Sequence, residues 1–252
     1  MEHLFIVGAQ RSGSTYLYEM LDCHPEISMV RPARPEPKFF LNSELVKLGG
    51  GFYKNLYFSN PKNASKYFGE KSTSYIESLE AAKSIKAFFP MARILIILRN
   101  PVKRAHSNYK FSVSHQLESL SFQEALMAEA VRLSDAKFIT SVNPYAYERR
   151  GHYIDYIRQY AEIFSADQMK VLIFEEFVGS IQSIQSLYRW LGITEEFVPE
   201  HLNKVVNPSV VRNEDHGEVN KILAEGYQDS IRELEKFLGR KIQAWHNYFD
   251  SL

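Results

Sequence analysis

Residues 5–21, FIVGAQRSGSTYLYEML, place an apolar run directly before a loop of small residues that opens a helical pattern. The run from Phe5 to Val7 predicts a buried strand, and Gly8 to Gly13 predict a turn before the helix. Such a loop can hold phosphate or a similar anion, because its backbone N–H groups and the helix N-terminus point at one ion. This segment therefore predicts an α/β sheet with an anion site beyond its first strand.

The spacing of Gly8 and Gly13 also fits the P-loop of nucleotide-binding enzymes. A P-loop has lysine directly after its second glycine, and this chain has Ser14 at that position. That lysine reaches the terminal phosphates of a nucleoside triphosphate, so its absence argues for a different phosphate compound. A metal-dependent P-loop kinase of a small molecule therefore stays as an alternative only.

The length and charge of the chain limit the alternatives further. Its 252 residues suit one domain over residues 1–252, because each of two halves would have only a small core. The 30 basic and 30 acidic side chains cancel, which argues against an extended nucleic-acid surface. A single cysteine favours a reducing compartment, and the sequence has no apolar run of about 18 residues. We therefore expect a cytoplasmic protein without a membrane partner.

Near-continuous apolar runs predict parallel strands that are buried on both faces. These strands are Leu4–Val7, Arg93–Leu98 and Met169–Phe174, with a shorter one at Tyr67–Gly69. Helical patterns lie between them, at about 78–88, 101–117, 121–133, 152–164, 180–191 and 217–238. The alternation predicts a doubly wound, mainly parallel sheet flanked by helices. Ligands of such sheets bind beyond the carboxyl ends of the strands.

Polar residues after two of these strands are candidates for binding an anion. In the first loop, Arg11 offers a guanidinium fork beside several hydroxyl groups. After the strand RILIIL, Asn100 and Pro101 predict the cap and first residue of a helix. Arg99 at the strand end and Ser107, two turns into that helix, can bind one phosphate between them.

Two further segments contain charged residues in constrained backbone. In FGEKSTSY, Glu70 and Lys71 are neighbours on a predicted strand end, so their side chains point to opposite sides. In RPARPEPKFF, three prolines stiffen the backbone around Glu36, and Phe39 and Phe40 are expected to anchor the segment in the core. These segments add two carboxylates and a lysine to the candidates.

Taken together, these motifs resemble the sulfotransferases that use 3′-phosphoadenosine 5′-phosphosulfate (PAPS). GAQRSGSTYLYEMLDCHPEI resembles the family's 5′-phosphosulfate loop, and RILIILRNPVKRAHSNY resembles its 3′-phosphate motif. GEKSTSY is similar to the family's EK(S/T)PxY segment, although it lacks the proline. The resemblance covers nearly the whole chain and implies a P-loop-like sulfotransferase fold.

The resemblance implies a PAPS site without a required metal. Its 5′-phosphosulfate loop falls on Gln10, Arg11, Ser12, Gly13, Ser14 and Thr15. Its 3′-phosphate contacts fall on Arg99 and Ser107, and the segment NPSVVRN adds Arg212 at a nucleotide phosphate.

Two branches of the family imply different catalytic bases. Similarity to the glycosaminoglycan 3-O-sulfotransferases places the base glutamate at Glu36, whereas similarity to the N-sulfotransferases places it at Glu70. We prefer Glu36, because the stiff segment that carries it could aim it at an acceptor. Lys71 would bind acceptor or sulfuryl oxygens, and Arg11 would stabilise developing charge, since arginine is not a readily titrated proton donor.

The leading hypothesis is thus an enzyme, a PAPS-dependent sulfotransferase with a carboxylate base and in-line transfer. The expected acceptor is a hydroxyl, or an amine or guanidine nitrogen, of a small soluble molecule such as a secondary metabolite. The sequence does not identify this acceptor, and it leaves a homodimer as an alternative to a monomer. A noncatalytic, nucleotide-binding member of the fold is the third hypothesis.

Overall fold

A computed structural model describes residues 1–135, 143–202 and 217–252. The chain divides into two compact units. The first, which we call the sheet unit, comprises Met1–Leu98 and Ile157–Val206. The second, the helical unit, comprises Arg99–Tyr156 and Asn207–Leu252. The single domain expected over the whole chain stays a prediction.

The sheet unit contains a parallel sheet that confirms the predicted fold class. Its strands are β1 (Glu2–Gly8), β2 (Ile27–Met29), β3 (Tyr67–Lys71), β4 (Arg93–Leu98) and β5 (Met169–Ile173). Among the described residues they pair in parallel in the order β2-β3-β1-β4-β5. The sequence missed β2, because a strand of three residues is too short to show a periodicity. It also made β5 one residue too long, since Phe174 begins a short helix.

The helices follow the predicted alternation, with ends that differ from the prediction by a few residues. In chain order they are α1 (Ser14–Asp22), α2 (Ser43–Lys47), α3 (Gly49–Tyr57), α4 (Leu79–Phe88), α5 (Pro101–Ser114), α6 (Phe122–Ser134), α7 (Tyr153–Ala161), α8 (Phe174–Phe177), α9 (Ile181–Leu191), α10 (Gly217–Leu238) and α11 (Gln243–Phe249). The sequence missed the short helices α2, α8 and α11, and it missed α3, whose first three residues are glycines, which disfavour helix. In the described part of the chain, none of these helices has the length and apolar character needed to span a bilayer.

Alternate residues of β1 face two different cores in the sheet unit, as expected for a strand covered on both sides. Leu4 and Ile6 pack in a hydrophobic core with side chains of α1 and α9. His3 and Phe5 face an aromatic cluster that includes Phe40, Tyr53 and Phe89. The second core anchors the segment between β2 and α2, because Phe39 and Phe40 are both buried, as predicted.

The aromatic core contains a histidine that folding keeps neutral. His3 is 4% exposed and stacks on Phe89 with ring centroids 3.8 Å apart. Burial, with smaller effects of Lys54 and the N-terminus, lowers the pKa of His3 to about 3. The unfolded chain therefore binds one more proton than the folded protein at pH values between about 6.5 and 3. Stability should fall as the pH falls through that window.

We expect wild-type protein to lose about 2 kcal/mol more unfolding free energy than His3→Phe between pH 7.5 and pH 5. Phenylalanine preserves the ring stacking and cannot take up the proton, so the contribution of His3 to the pH dependence disappears. Urea unfolding of both proteins at the two pH values measures this difference. Parallel losses in the two proteins would contradict the burial of a neutral His3.

Candidate active site

The loop between β1 and α1 begins the helix with a glycine in left-handed backbone. Gly13 is the N-cap of α1, with φ of 88°, a conformation that favours glycine. A side chain there would also collide with the ring of Phe174, which packs against this glycine. In the described structure, no side chain caps the first turn of α1. The backbone N–H groups of that turn are therefore not occupied by a side-chain cap.

The same loop contains a buried hydroxyl that bears on whether the loop fits a bound anion. Ser12 is fully buried, and its Oγ has no hydrogen-bond partner among the described residues. A buried hydroxyl needs a partner, and an anionic oxygen bound at the start of α1 would supply one. The residues present therefore fit the phosphosulfate group that the resemblance implies.

Other residues of the loop have contacts within the sheet unit. Gln10 Nε2 donates to Glu77 Oε1 at 3.2 Å. Thr15 Oγ1 accepts a hydrogen bond of 3.1 Å from the guanidinium of Arg34. Ser14 is buried as the first residue of α1, and Arg11 is half-buried with φ of 65°. These contacts hold the loop and bring a second arginine beside it.

A carboxylate of the proline-rich segment is bound by two residues at the end of β3. Lys71 Nζ lies 2.6 Å from Glu36 Oε1. The backbone N–H of Thr73 donates to Glu36 Oε2 at 3.0 Å, and Thr73 Oγ1 lies 3.1 Å from both carboxylate oxygens. The Lys71 side chain is 2% exposed, whereas that of Glu36 is 16% exposed. Glu36 is thus oriented from one side and accessible from the other.

Glu70 is in a different environment from its neighbour Lys71. It is fully buried, and its carboxylate accepts hydrogen bonds from Tyr53 at 2.6 Å, Ser72 at 2.6 Å and Tyr75 at 2.7 Å. Burial raises the pKa of Glu70, and the three hydroxyl donors oppose that effect. Adjacent residues of β3 therefore contact separate partners, with Lys71 at Glu36 and Glu70 among aromatic hydroxyls.

The remaining expected phosphate residues belong to the helical unit. Arg99 directly follows β4, and Tyr153 donates its hydroxyl to the Arg99 carbonyl at 2.7 Å. Asn100 accepts the N–H of Lys103, and Pro101 is the first residue of α5, as predicted. Ser107 is half-buried on α5. Arg212 lies outside the described residues.

The basic residues at the start of α5 have partners of their own within the helical unit. Lys103 Nζ lies 4.6 Å from the ring centroid of Tyr248. Arg104 is fully buried and donates to the carbonyl of Tyr147. Arg99 and Ser107 remain the phosphate candidates here.

Sequence reasoning missed three residues that hold the candidate groups, namely Thr73, Arg34 and Tyr153. For Thr73 a signal existed, because it stands where the EK(S/T)PxY segment has proline. Proline has no N–H and no hydroxyl, so it could not make the contacts that Thr73 makes with Glu36. Arg34 and Tyr153 had no such signal, since their partners are distant in sequence.

Comparisons with known proteins agree with these motifs. The family model described as "Sulfotransferase domain" matches residues 1–251. The crystal structure of a sulfotransferase from Alicyclobacillus acidocaldarius superposes with a TM-score of 0.79 at 27% sequence identity, over 98% of this chain and 99% of that one.

Curated relatives include two proteins named bifunctional heparan sulfate N-deacetylase/N-sulfotransferase 1. The Caenorhabditis elegans protein is 29% identical over 197 residues, which cover 76% of this chain and 22% of the relative. The human protein is 32% identical over 177 residues, which cover 67% of this chain and 19% of the relative. The chain thus spans about a fifth of the length of these relatives. Because the family model matches residues 1–251 and the fold is shared over 98% of the chain, this protein belongs to the sulfotransferase domain family.

Proposed function

We propose that this sulfotransferase transfers a sulfuryl group from PAPS to an acceptor oxygen or nitrogen, with Glu36 as the general base. The observation that carries the base assignment is the difference in exposure between the two candidate carboxylates. Glu36 is 16% exposed at the side chain, whereas Glu70 is fully buried. A general base must come within hydrogen-bond distance of the proton it removes, which favours the carboxylate with an accessible edge.

The contacts of Glu36 support specific roles for its neighbours. Glu36 takes the proton from the acceptor while the acceptor atom bonds to sulfur and the bond from sulfur to the bridging oxygen breaks. The electron pair leaves with adenosine 3′,5′-bisphosphate (PAP), on whose phosphate the negative charge develops. Lys71, 2.6 Å from Glu36, supplies a cation beside the base, and Arg11 supplies a second one in the loop.

The proposed donor contacts fall into two sets, one in the loop before α1 and one after β4. The buried Ser12 hydroxyl and the N-terminus of α1 would bind the 5′-phosphosulfate group. Arg99 and Ser107 would bind the 3′-phosphate, with a contribution from Arg212. PAPS supplies the activated sulfuryl group, and we propose that no metal is required.

The proposed acceptor is a hydroxyl, or an amine or guanidine nitrogen, of a small soluble molecule. A second candidate is the free amine of an N-deacetylated polysaccharide, because the curated relatives are named heparan sulfate N-deacetylase/N-sulfotransferases. Incubation with heavy-sulfur PAPS distinguishes these acceptors. Mass spectrometry of a metabolite extract and of N-deacetylated heparan oligosaccharides would show which of them gains the label.

A thermal-shift experiment tests the donor before any acceptor is known. PAP at 100 times its dissociation constant should stabilise the protein by about 2.7 kcal/mol, because it binds the folded state only. ATP with Mg²⁺ should give no comparable shift, since the lysine of the kinase P-loop is replaced by Ser14. Stabilisation by ATP with Mg²⁺ alone would contradict the proposal and favour the kinase. Stabilisation by PAP without labelled product on any acceptor would favour the noncatalytic alternative.

A further inference from the structure

Two hydroxyl groups connect the buried Glu70 to the backbone beside Glu36. Ser72 Oγ donates to Glu70 at 2.6 Å and accepts the backbone N–H of Lys38 at 2.9 Å. Tyr75 Oη donates to Glu70 at 2.7 Å and accepts the backbone N–H of Phe40 at 3.1 Å. The two backbone N–H groups that these hydroxyls accept, from Lys38 and Phe40, belong to residues 36–40, which we call the Glu36 turn.

The Glu36 turn needs external bonds to keep its shape. Lys38 has φ of 52°, a left-handed conformation that residues other than glycine adopt at a cost. This residue lies two positions after Glu36, so a change in its backbone would move the carboxylate. Phe39 and Phe40 are buried and fix the far end of the turn, but packing alone does not determine the direction of backbone N–H groups.

We propose that Glu70 is a positioning residue, a buried acceptor that orients the Ser72 and Tyr75 hydroxyls and through them holds the Glu36 turn in its catalytic position. This inference rests on the proposed role of Glu36 as the base. It assigns the two glutamates different tasks, one in proton transfer and one in support of the turn.

The geometry explains why an acceptor is needed at this position. The hydroxyls of Ser72 and Tyr75 each have a single proton. Each oxygen can accept a backbone N–H only when its own proton points towards a different acceptor. Glu70 receives both protons on Oε1, and this leaves the oxygen lone pairs directed at the amides of Lys38 and Phe40. Because Glu70, Ser72 and Tyr75 are all buried, bulk water cannot replace Glu70 as the acceptor.

Tyr53 offers a matched control for Tyr75. Both phenols donate to Glu70, at 2.6 Å and 2.7 Å, and both are fully buried. Tyr75 also accepts the Phe40 amide, whereas Tyr53 donates to the other carboxylate oxygen, Oε2. Replacing either phenol with phenylalanine therefore removes one donor from Glu70, but only Tyr75→Phe removes a bond to the Glu36 turn.

The experiment measures kcat with PAPS and N-deacetylated heparan oligosaccharides as the acceptor probe. We expect Tyr75→Phe to lower kcat more than tenfold and Tyr53→Phe to change it less than threefold. Glu70→Gln keeps a side-chain oxygen that can accept from both Ser72 and Tyr75. Its kcat should fall less than tenfold, and the acidic limb of its kcat pH profile should be retained. Equal losses in the two tyrosine variants, or loss of the acidic limb in Glu70→Gln, would overturn the inference, because both results are expected of a base at Glu70.

Hydrogen exchange separates this inference from the proposed function. The Phe40 amide should exchange at least tenfold faster in Tyr75→Phe than in wild-type protein, and at an unchanged rate in Tyr53→Phe. If none of these proteins, wild type included, sulfates the heparan probe, the second candidate acceptor fails and the exchange rates alone decide the inference. An unchanged exchange rate of the Phe40 amide in Tyr75→Phe would then reject the inference that Glu70 supports the Glu36 turn through Tyr75.

Discussion

Replacing Glu36 with glutamine should lower kcat for sulfuryl transfer by roughly 10²–10⁴-fold, the range associated with a lost general base. Glutamine has nearly the same shape, but its amide cannot take the proton from the acceptor. PAP affinity should stay within about threefold of wild type, because the proposed donor contacts lie in the loop before α1 and after β4. Single-turnover transfer of labelled sulfuryl and a PAP titration measure the two quantities separately.

This substitution also leaves the ammonium of Lys71, 2% exposed, without its carboxylate, so part of the loss could come from altered stability. Unfolding free energy should therefore be measured beside kcat. Glu44→Gln is the matched control, since Glu44 pairs with Lys47 at 2.7 Å on the surface, where both side chains are largely exposed. We expect that control to change neither rate nor stability measurably. Full activity in Glu36→Gln would reject Glu36 as the base.

Arg99→Ala should weaken PAP binding by about 10–150-fold, the equivalent of about 1.5–3 kcal/mol for hydrogen bonds to a charged group. Binding of adenosine 5′-phosphosulfate, which lacks the 3′-phosphate, should change less than twofold. The expected selectivity follows from the assignment of Arg99 to that phosphate alone. Removal of the side chain keeps the backbone bond between the Tyr153 hydroxyl and the Arg99 carbonyl, so the local backbone is retained. Isothermal titration with both ligands gives the comparison.

Arg93 provides the control for this arginine, because it lies at the opposite end of β4 and donates to the carbonyl of Asp167. Ligands of parallel sheets bind beyond the carboxyl ends of strands, so Arg93→Ala should bind both nucleotides like wild type. An equal loss of affinity for PAP and for adenosine 5′-phosphosulfate in Arg99→Ala would remove Arg99 from the 3′-phosphate site.

The sequence predicted the elements whose signals are local. β4 has the predicted bounds Arg93–Leu98, since an unbroken apolar run marks a strand buried on both faces. The start of α5 was equally predictable, because Asn100 and Pro101 act on the residues next to them. The strand, loop and helix at residues 2–22 were predictable because their signals are also local. The motifs in these elements were sufficient to indicate the family.

Local signals failed where packing outweighs intrinsic preference. The three glycines of α3 disfavour a helix, yet that helix places Tyr53 in the aromatic core, fully buried beside Glu70. The three-residue β2 obtains its hydrogen bonds from β3, a strand nearly 40 residues later in the chain. Both elements depend on partners that a short window of sequence does not contain.

The sequence by itself determined that Glu70 and Lys71 point to opposite sides, because side chains alternate along any strand. It could not determine which of them contacts Glu36 and which is enclosed by aromatic residues, since alternation is symmetric and both residues are charged. Tertiary packing decided the matter. Tyr53 and Tyr75 enclose Glu70, and the proline-rich segment brings Glu36 to within 2.6 Å of Lys71, 35 residues away in the chain. The physical reason is that a buried carboxylate is stable only where donors from several elements converge, and such convergence exists only in the folded chain.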